Sequence, residues 1–135
     1  PSIALSLATG IQAVGSEYWD TPLEHGARLI KDLLEASWDQ SVLMNVNFPD
    51  CEPEECKGMK MAHTGRRNIS KQLDERADNK GRPYYWIHWG ADAMSDAAAG
   101  SDLHAIAEKY ISVSPINLDL TDYALLDKMR SLIEG

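Results

Sequence analysis

The stretch Ile111-Ser112-Val113-Ser114-Pro115-Ile116-Asn117-Leu118-Asp119-Leu120-Thr121 decides how this chain is read. Its first seven residues form a strand-like run, and the run passes straight into Thr121, a side chain suited to cap a helix. The expected helix is Asp122 to Ile133, with Leu125, Leu126, Met129, Leu132 and Ile133 as its apolar stripe. An extended strand, a short Asn117-Leu118-Asp119-Leu120 connector and an amphipathic helix together make an arm. Such an arm packs either on its own body or on a neighbour's, and exchange between protomers is a low-cost outcome of the shape.

Upstream of the arm the pattern is α/β. Ser2-Ile3-Ala4-Leu5-Ser6-Leu7 reads as a short apolar strand of the kind buried inside a parallel sheet. Residues 8–18, with Gly10, Gly15 and Ser16, read as a loop. Thr21-Pro22-Leu23-Glu24 then opens a helix with a capping residue, a first-turn proline and a capping-box glutamate. Leu23, Ala27, Ile30, Leu33 and Leu34 recur at three- and four-residue steps and are expected to form its packed face, with the end near Ser37. Val42 to Asn47 is the next strand, stopped by Phe48-Pro49-Asp50. One β-α-β unit leaves the first strand short of neighbours, so preceding sequence is expected to complete the sheet.

Residues 57–90 read as an extended hairpin. Gly58 to Thr64 leads out, Asn79-Lys80-Gly81-Arg82-Pro83 turns, and Tyr84 to Trp89 return as an aromatic strand. Between Gly65 and Arg82 lie Arg66, Arg67, Lys71, Arg76, Lys80 and Arg82, a basic island in an otherwise acidic chain. Ala91 to Gly100 is a small-residue loop, and Asp102 caps a short helix from Leu103 to Tyr110. The expected organisation is therefore 1–56 as α/β core, 57–100 as hairpin and loop used in oligomerisation, and 101–135 as short helix, strand and arm.

With 44% hydrophobic and 25% charged residues, the composition is that of a soluble globular protein, and a chain this size buries roughly two thirds of its unfolded surface, enough for a core. A net charge of -8 repels nucleic-acid backbone and anionic lipid at long range, so neither is an expected partner. No apolar run reaches the ~20 residues of a membrane helix, and no leader pattern is visible. A cytoplasmic location is expected. Cys51 and Cys56 flank Glu-Pro-Glu-Glu and are expected to be reduced thiols in an acidic surface loop; the spacing is not that of a zinc ribbon.

The candidate chemistry is sparse. His25, His63, His88 and His104 never fall at i, i+4 on an expected helix, and no Gly-x-Ser-x-Gly is present. Asn45 and Asn47 share one face of a strand and could reach a polar pocket at its carboxyl end, or could satisfy neighbouring backbone. Ser101 and Asp102 stand at a helix start, where they cap or where an anion could sit. Tyr84, Trp86 and Trp89 are costly to leave in water and point to burial against another element or subunit.

Several separated motifs, in order, resemble the C-terminal half of the SurE family of survival-protein nucleotidases. They are Ser2-Ile3-Ala4-Leu5-Ser6, Asn45-Val46-Asn47-Phe48-Pro49, Asp78 to Ile87, Gly100-Ser101-Asp102 in place of Gly-Thr-Asp, and Ile111-Ser112-Val113-Ser114-Pro115 through Thr121. The resemblance implies a Rossmann-like three-layer (αβα) fold, here its C-terminal part, with an extended β-hairpin and a C-terminal helical arm. It implies a metal-dependent phosphatase that hydrolyses nucleoside 5'- or 3'-monophosphates to nucleoside and phosphate, with short polyphosphate as a second substrate class. The family's Mg or Mn is held by an Asp-Asp pair in an Asn-Asp-Asp-Gly turn with a Ser and an Asn. All of these lie upstream of the strand matching Ser2 to Ser6, so the ligands are expected upstream of Pro1 and none in this chain, which contains no Asp-Asp pair. The chain alone is then expected to be inactive.

The hairpin and arm resemble elements that build homodimers and homotetramers, which makes Arg66, Arg67, Tyr84, Trp86, Trp89, Leu125 and Met129 the expected oligomer contacts. The alternative is a non-enzymatic interaction or oligomerisation module whose basic hairpin binds an anionic partner.

Overall fold

The computed structural model describes residues 1–9, 18–66, 73–87 and 97–135. In order these form β1 (Ser2–Leu7), α1 (Asp20–Ala36), β2 (Val42–Phe48), a 3-10 turn (Pro53–Glu55), β3 (Met59–Met61), β4 (Leu73–Ala77), β5 (Pro83–Ile87), α2 (Asp102–Ala107), β6 (Ile111–Asn117) and α3 (Tyr123–Ile133). Four strands make one sheet in the order β1-β2-β6-β3, and β4 and β5 pair separately. β1 and β2 run parallel, β6 lies antiparallel to β2, and β3 runs parallel to β6.

Period-two alternation gives the sheet two unlike faces. On one, Val46, Phe48, Ile111 and Val113 are buried together with Leu29 of α1, and Ile3, Leu7, Ile30, Leu33 and Met44 pack around them. Full burial of each such side chain is worth about 1.5–3 kcal/mol against exposure, so this face holds most of the cohesion. The other face carries Ser6, Asn47 and Ser112 in one cross-strand row and Ala4, Asn45 and Ser114 in the next. Helix α2 covers its β6 side: Lys60 is level with Ser112, and its ammonium lies 2.7 Å from the Glu108 carboxylate just past α2. The result is α1, sheet and α2 in three layers.

Pro115 has no N–H to give a ladder. The Ala62 N–H donates to the Val113 carbonyl at 2.9 Å, so Val113 turns its backbone polar groups towards β3, and Pro115, two residues on, does the same beyond the last β3 pair. β3 is short at the point where its neighbour stops offering a donor.

Four sequence expectations change in the fold. The packed face of α1 runs through Thr21, Gly26 and Leu29, with Ile30 and Leu33 beside it, whereas Leu23, Ala27 and Leu34 are exposed. Thr21 is no cap: α1 begins at Asp20, and the buried Thr21 hydroxyl donates to the Cys51 carbonyl. Gly58 to Thr64 does not lead out of the core, because Met59–Met61 pairs with Ile111–Val113, and among the described residues the hairpin is formed by Leu73–Ala77 and Pro83–Ile87. At the other end, Asp122 replaces Thr121 as the cap of α3, its carboxylate accepting from the Leu125 N–H at 2.9 Å. No residue of α3 is buried. Among the described residues no helix is long and apolar enough to cross a membrane.

Candidate functional site

Helix α1 makes the crossover between two parallel strands, so β1 and β2 end side by side with Leu7 level with Phe48. In open α/β sheets the crevice beyond such carboxyl ends is where ligands bind. A polar chain lies just inside that rim. The Ser6 hydroxyl donates to Asn47 Oδ1 at 2.5 Å, and Asn47 Nδ2 donates to the Ser112 hydroxyl at 3.4 Å, tying three strands through side chains. One row deeper the pairing fails: Ser114 faces Asn45 across the β2–β6 pair, and its buried hydroxyl has no hydrogen-bond partner among the described residues.

Ser101 and Asp102 stand elsewhere. Ser101 caps α2, its buried hydroxyl accepting from the His104 N–H at 3.2 Å. Asp102 Oδ1 accepts from the Gly65 N–H at 2.6 Å and from the Leu103 N–H at 2.7 Å. A Cβ on Gly65 would lie 2.8 Å from the Leu103 side chain and 2.9 Å from Asp102 Oδ1, so only glycine lets the chain pass this close to α2. Ser101 bridges to His63, two residues beyond Met61, which is level with Val113. The pair is thus displaced along β6 from Ser112 by about three residues, roughly 10 Å at strand rise. Asn47 belongs to the carboxyl-end rim, and Ser101 and Asp102 anchor the segment that leaves for the hairpin.

Residues that sequence reading passed over hold the start of α1 against the rim. The Tyr18 N–H donates to Asp50 Oδ1 at 3.2 Å, and the Thr21 hydroxyl reaches the Cys51 carbonyl, so two bonds pin residues 18–21 to the loop after β2. Trp19 sits between them, 60% exposed, with Tyr18 39% and Leu23 76% exposed beside it. The signal was available: an adjacent Tyr-Trp pair immediately before a helix, at the end of the loop that leads from the first strand.

Cys51 is buried rather than at the surface, and that burial pushes its thiol up from the ordinary range; Cys56 is half-buried, and neither is in a disulfide. At the far edge, Lys60 lies over the Tyr110 ring at 3.8 Å and pairs with Glu108, which draws the lysine up and the carboxylate down.

In the hairpin the basic island is partly neutralised. Arg76 pairs with Asp74 at 3.6 Å, and Arg82 with Asp78 at 2.8 Å. Asp78 also accepts the Lys80 and Arg82 backbone N–H groups, which hold it below the usual carboxylate range. Arg66, Tyr84 and Trp86 are exposed on this side, as are Leu125 and Met129 on α3, while Arg67 and Trp89 lie outside the described residues.

A hard divalent cation needs several converging oxygen ligands. Among the described residues no three His, Cys, Asp or Glu side chains gather in one place, and Asp78 and Asp102 are spent on backbone N–H groups. The described residues do not fit such a metal.

A family model described as Survival protein SurE matches residues 1–71. The chain belongs to the SurE family. Its SurE relatives include the 5'-nucleotidase SurE of Methylobacterium nodulans, 46% identical over 97% of this chain and 52% of that protein. That of Bradyrhizobium sp. strain BTAi1 is 39% identical over 98% of this chain and 53% of that protein. The SurE protein of Aquifex aeolicus superposes with a TM-score of 0.74 at 28% identity, covering 98% of this chain and 51% of that one. The chain spans about half the length of the curated SurE relatives it matches.

Proposed function

We propose that the protein containing this chain is a metal-dependent phosphatase that hydrolyses nucleoside 5'- or 3'-monophosphates, and short polyphosphate, and that this portion completes the sheet and builds the oligomer. The observation that carries the reading is likeness along nearly the whole chain to relatives named 5'-nucleotidase SurE, at 46% identity in the first of them. A bound divalent cation promotes hydrolysis of a phosphate monoester by activating water and neutralising developing charge. The described residues lack the ligands, so the proposal assigns Mg or Mn to the part of the protein outside this chain. Two features support an assembly role: α3 buries none of its apolar residues within the chain, and the hairpin exposes Tyr84, Tyr85 and Trp86. A homodimer or homotetramer would cover both.

The test is AMP hydrolysis by the parent polypeptide and by these 135 residues alone, each with and without Mn. The reading expects Mn-dependent release of phosphate by the parent and none by the fragment. Turnover by the fragment would place the metal site here and refute the division of labour.

A further inference from the structure

We infer that Trp19 is the platform on which the base of a nucleoside monophosphate stacks. The inference rests on the nucleotidase reading and adds to it a residue that selects for the nucleoside part of the substrate. Three observations converge. The start of α1 is fastened to the loop after β2 by the Tyr18 N–H to Asp50 bond and by the Thr21 hydroxyl to the Cys51 carbonyl, so Trp19 is held at the carboxyl ends of β1 and β2. That is the place where an open α/β sheet receives its ligand.

Trp19 nevertheless remains 60% exposed and Leu23, one turn on, 76% exposed, although the helix buries Thr21, Gly26 and Leu29 on another face. Two large apolar side chains at i, i+4 are thus turned away from the core in the one region where a planar ligand would arrive. A ring so placed suits a base: every nucleobase offers a π-face, and stacking on an aromatic side chain is tolerant of base identity.

The experiment uses the parent protein with Mn and compares kcat/KM for AMP with that for ribose 5-phosphate, which presents the same phosphate and sugar without a base. Trp19→Leu keeps apolar bulk and removes the ring; Trp19→Phe restores a ring. Loss of base–aromatic stacking corresponds to about 5- to 150-fold, so Trp19→Leu is expected to lower kcat/KM for AMP by at least about fivefold, chiefly through KM. Ribose 5-phosphate should change less than twofold, and Trp19→Phe should recover most of the AMP loss.

Equal losses on both substrates would make Trp19 a packing residue and overturn the inference. No loss on either would overturn it too, as would a wild-type protein that does not prefer AMP to ribose 5-phosphate. Failure of the wild type to hydrolyse either substrate is a different result, since it removes the nucleotidase reading itself and the inference with it.

Discussion

Ser112 and Ser114 are the same residue type, two positions apart on one face of β6, and both are buried. Removing their hydroxyls should nevertheless change stability in opposite directions. The Ser114 hydroxyl has no hydrogen-bond partner among the described residues, so folding strips it of water and those residues return nothing. An unsatisfied buried hydroxyl costs about 1–3 kcal/mol, and Ser114→Ala removes that cost while opening a space of only one oxygen atom. The expected change is a gain of about 1–2 kcal/mol.

Ser112 accepts from Asn47 Nδ2, so Ser112→Ala loses a bond and strands a donor, for an expected loss of about 0.5–1.5 kcal/mol. The assay is urea denaturation of the parent protein with both variants, read as a shift of midpoint at constant slope. In a protein of that size each kcal/mol moves Tm by about 2–4 °C, so the two variants should bracket the wild type visibly. A loss of more than about 1 kcal/mol in Ser114→Ala would show that its hydroxyl is satisfied, for example through a water shared with the facing Asn45, and would refute the reasoning.

The connector before α3 predicts a pH signature. Asp119 accepts from the Tyr123 hydroxyl and the Thr121 N–H, which lowers its carboxyl to about 2. A depressed carboxyl contributes stability that is complete above its unfolded value near 3.9 and disappears as pH falls through about 2. Carbon-13 NMR should therefore show the Asp119 carboxyl titrating well below the ordinary aspartate value, and a midpoint near 3.8 would exclude the Tyr123 bond. The same bond raises Tyr123, so Asp119→Asn should bring its phenol titration down. On α3, the double change Leu125→Asp and Met129→Asp alters residues that are 53% and 41% exposed in the protomer. Sedimentation of the parent should drop to a smaller species with little change in helicity, and an unchanged oligomer would remove α3 from the interface.

Much of the fold was readable because each reading rested on a local constraint. Val42 to Asn47 and Ile111 to Asn117 were found as strands from their composition and from the breakers beside them. The failures were non-local. Gly58 to Thr64 has the composition of a hairpin strand, and only its pairing with Ile111–Val113, about 50 residues later, places Met59–Met61 in the main sheet. Periodicity found the helix from Thr21 to near Ser37 and two residues of its packed face, Ile30 and Leu33, but also assigned to that face Leu23, Ala27 and Leu34, which are exposed. Thr21 faces inward because its hydroxyl reaches the Cys51 carbonyl, and Gly26 is turned to the Phe48 ring, which a Cβ there would meet at an ordinary contact distance of 3.8 Å. Asn47 was placed near the rim by its position at a strand end, and there it bonds Ser6 and Ser112. Trp19 was missed because hydrophobicity alone gives no reason for a large ring to face outward.

The position of β6 governs how the chain can be assembled during synthesis. It is the last of the described strands in sequence, yet it lies between β2 and β3. On a ribosome adding about 5–20 residues per second, both neighbouring strands wait several seconds after Met61 for Ile111 to be made. Through that interval the edge of β2 carries Asn45 and Asn47, and that of β3 carries Lys60, polar groups that discourage pairing with a stranger's strand. A stalled or truncated product ending before residue 111 would hold β1, α1 and β2 without the strand that joins them to β3. Such a product is a substrate for chaperones and proteases rather than a smaller version of the same domain.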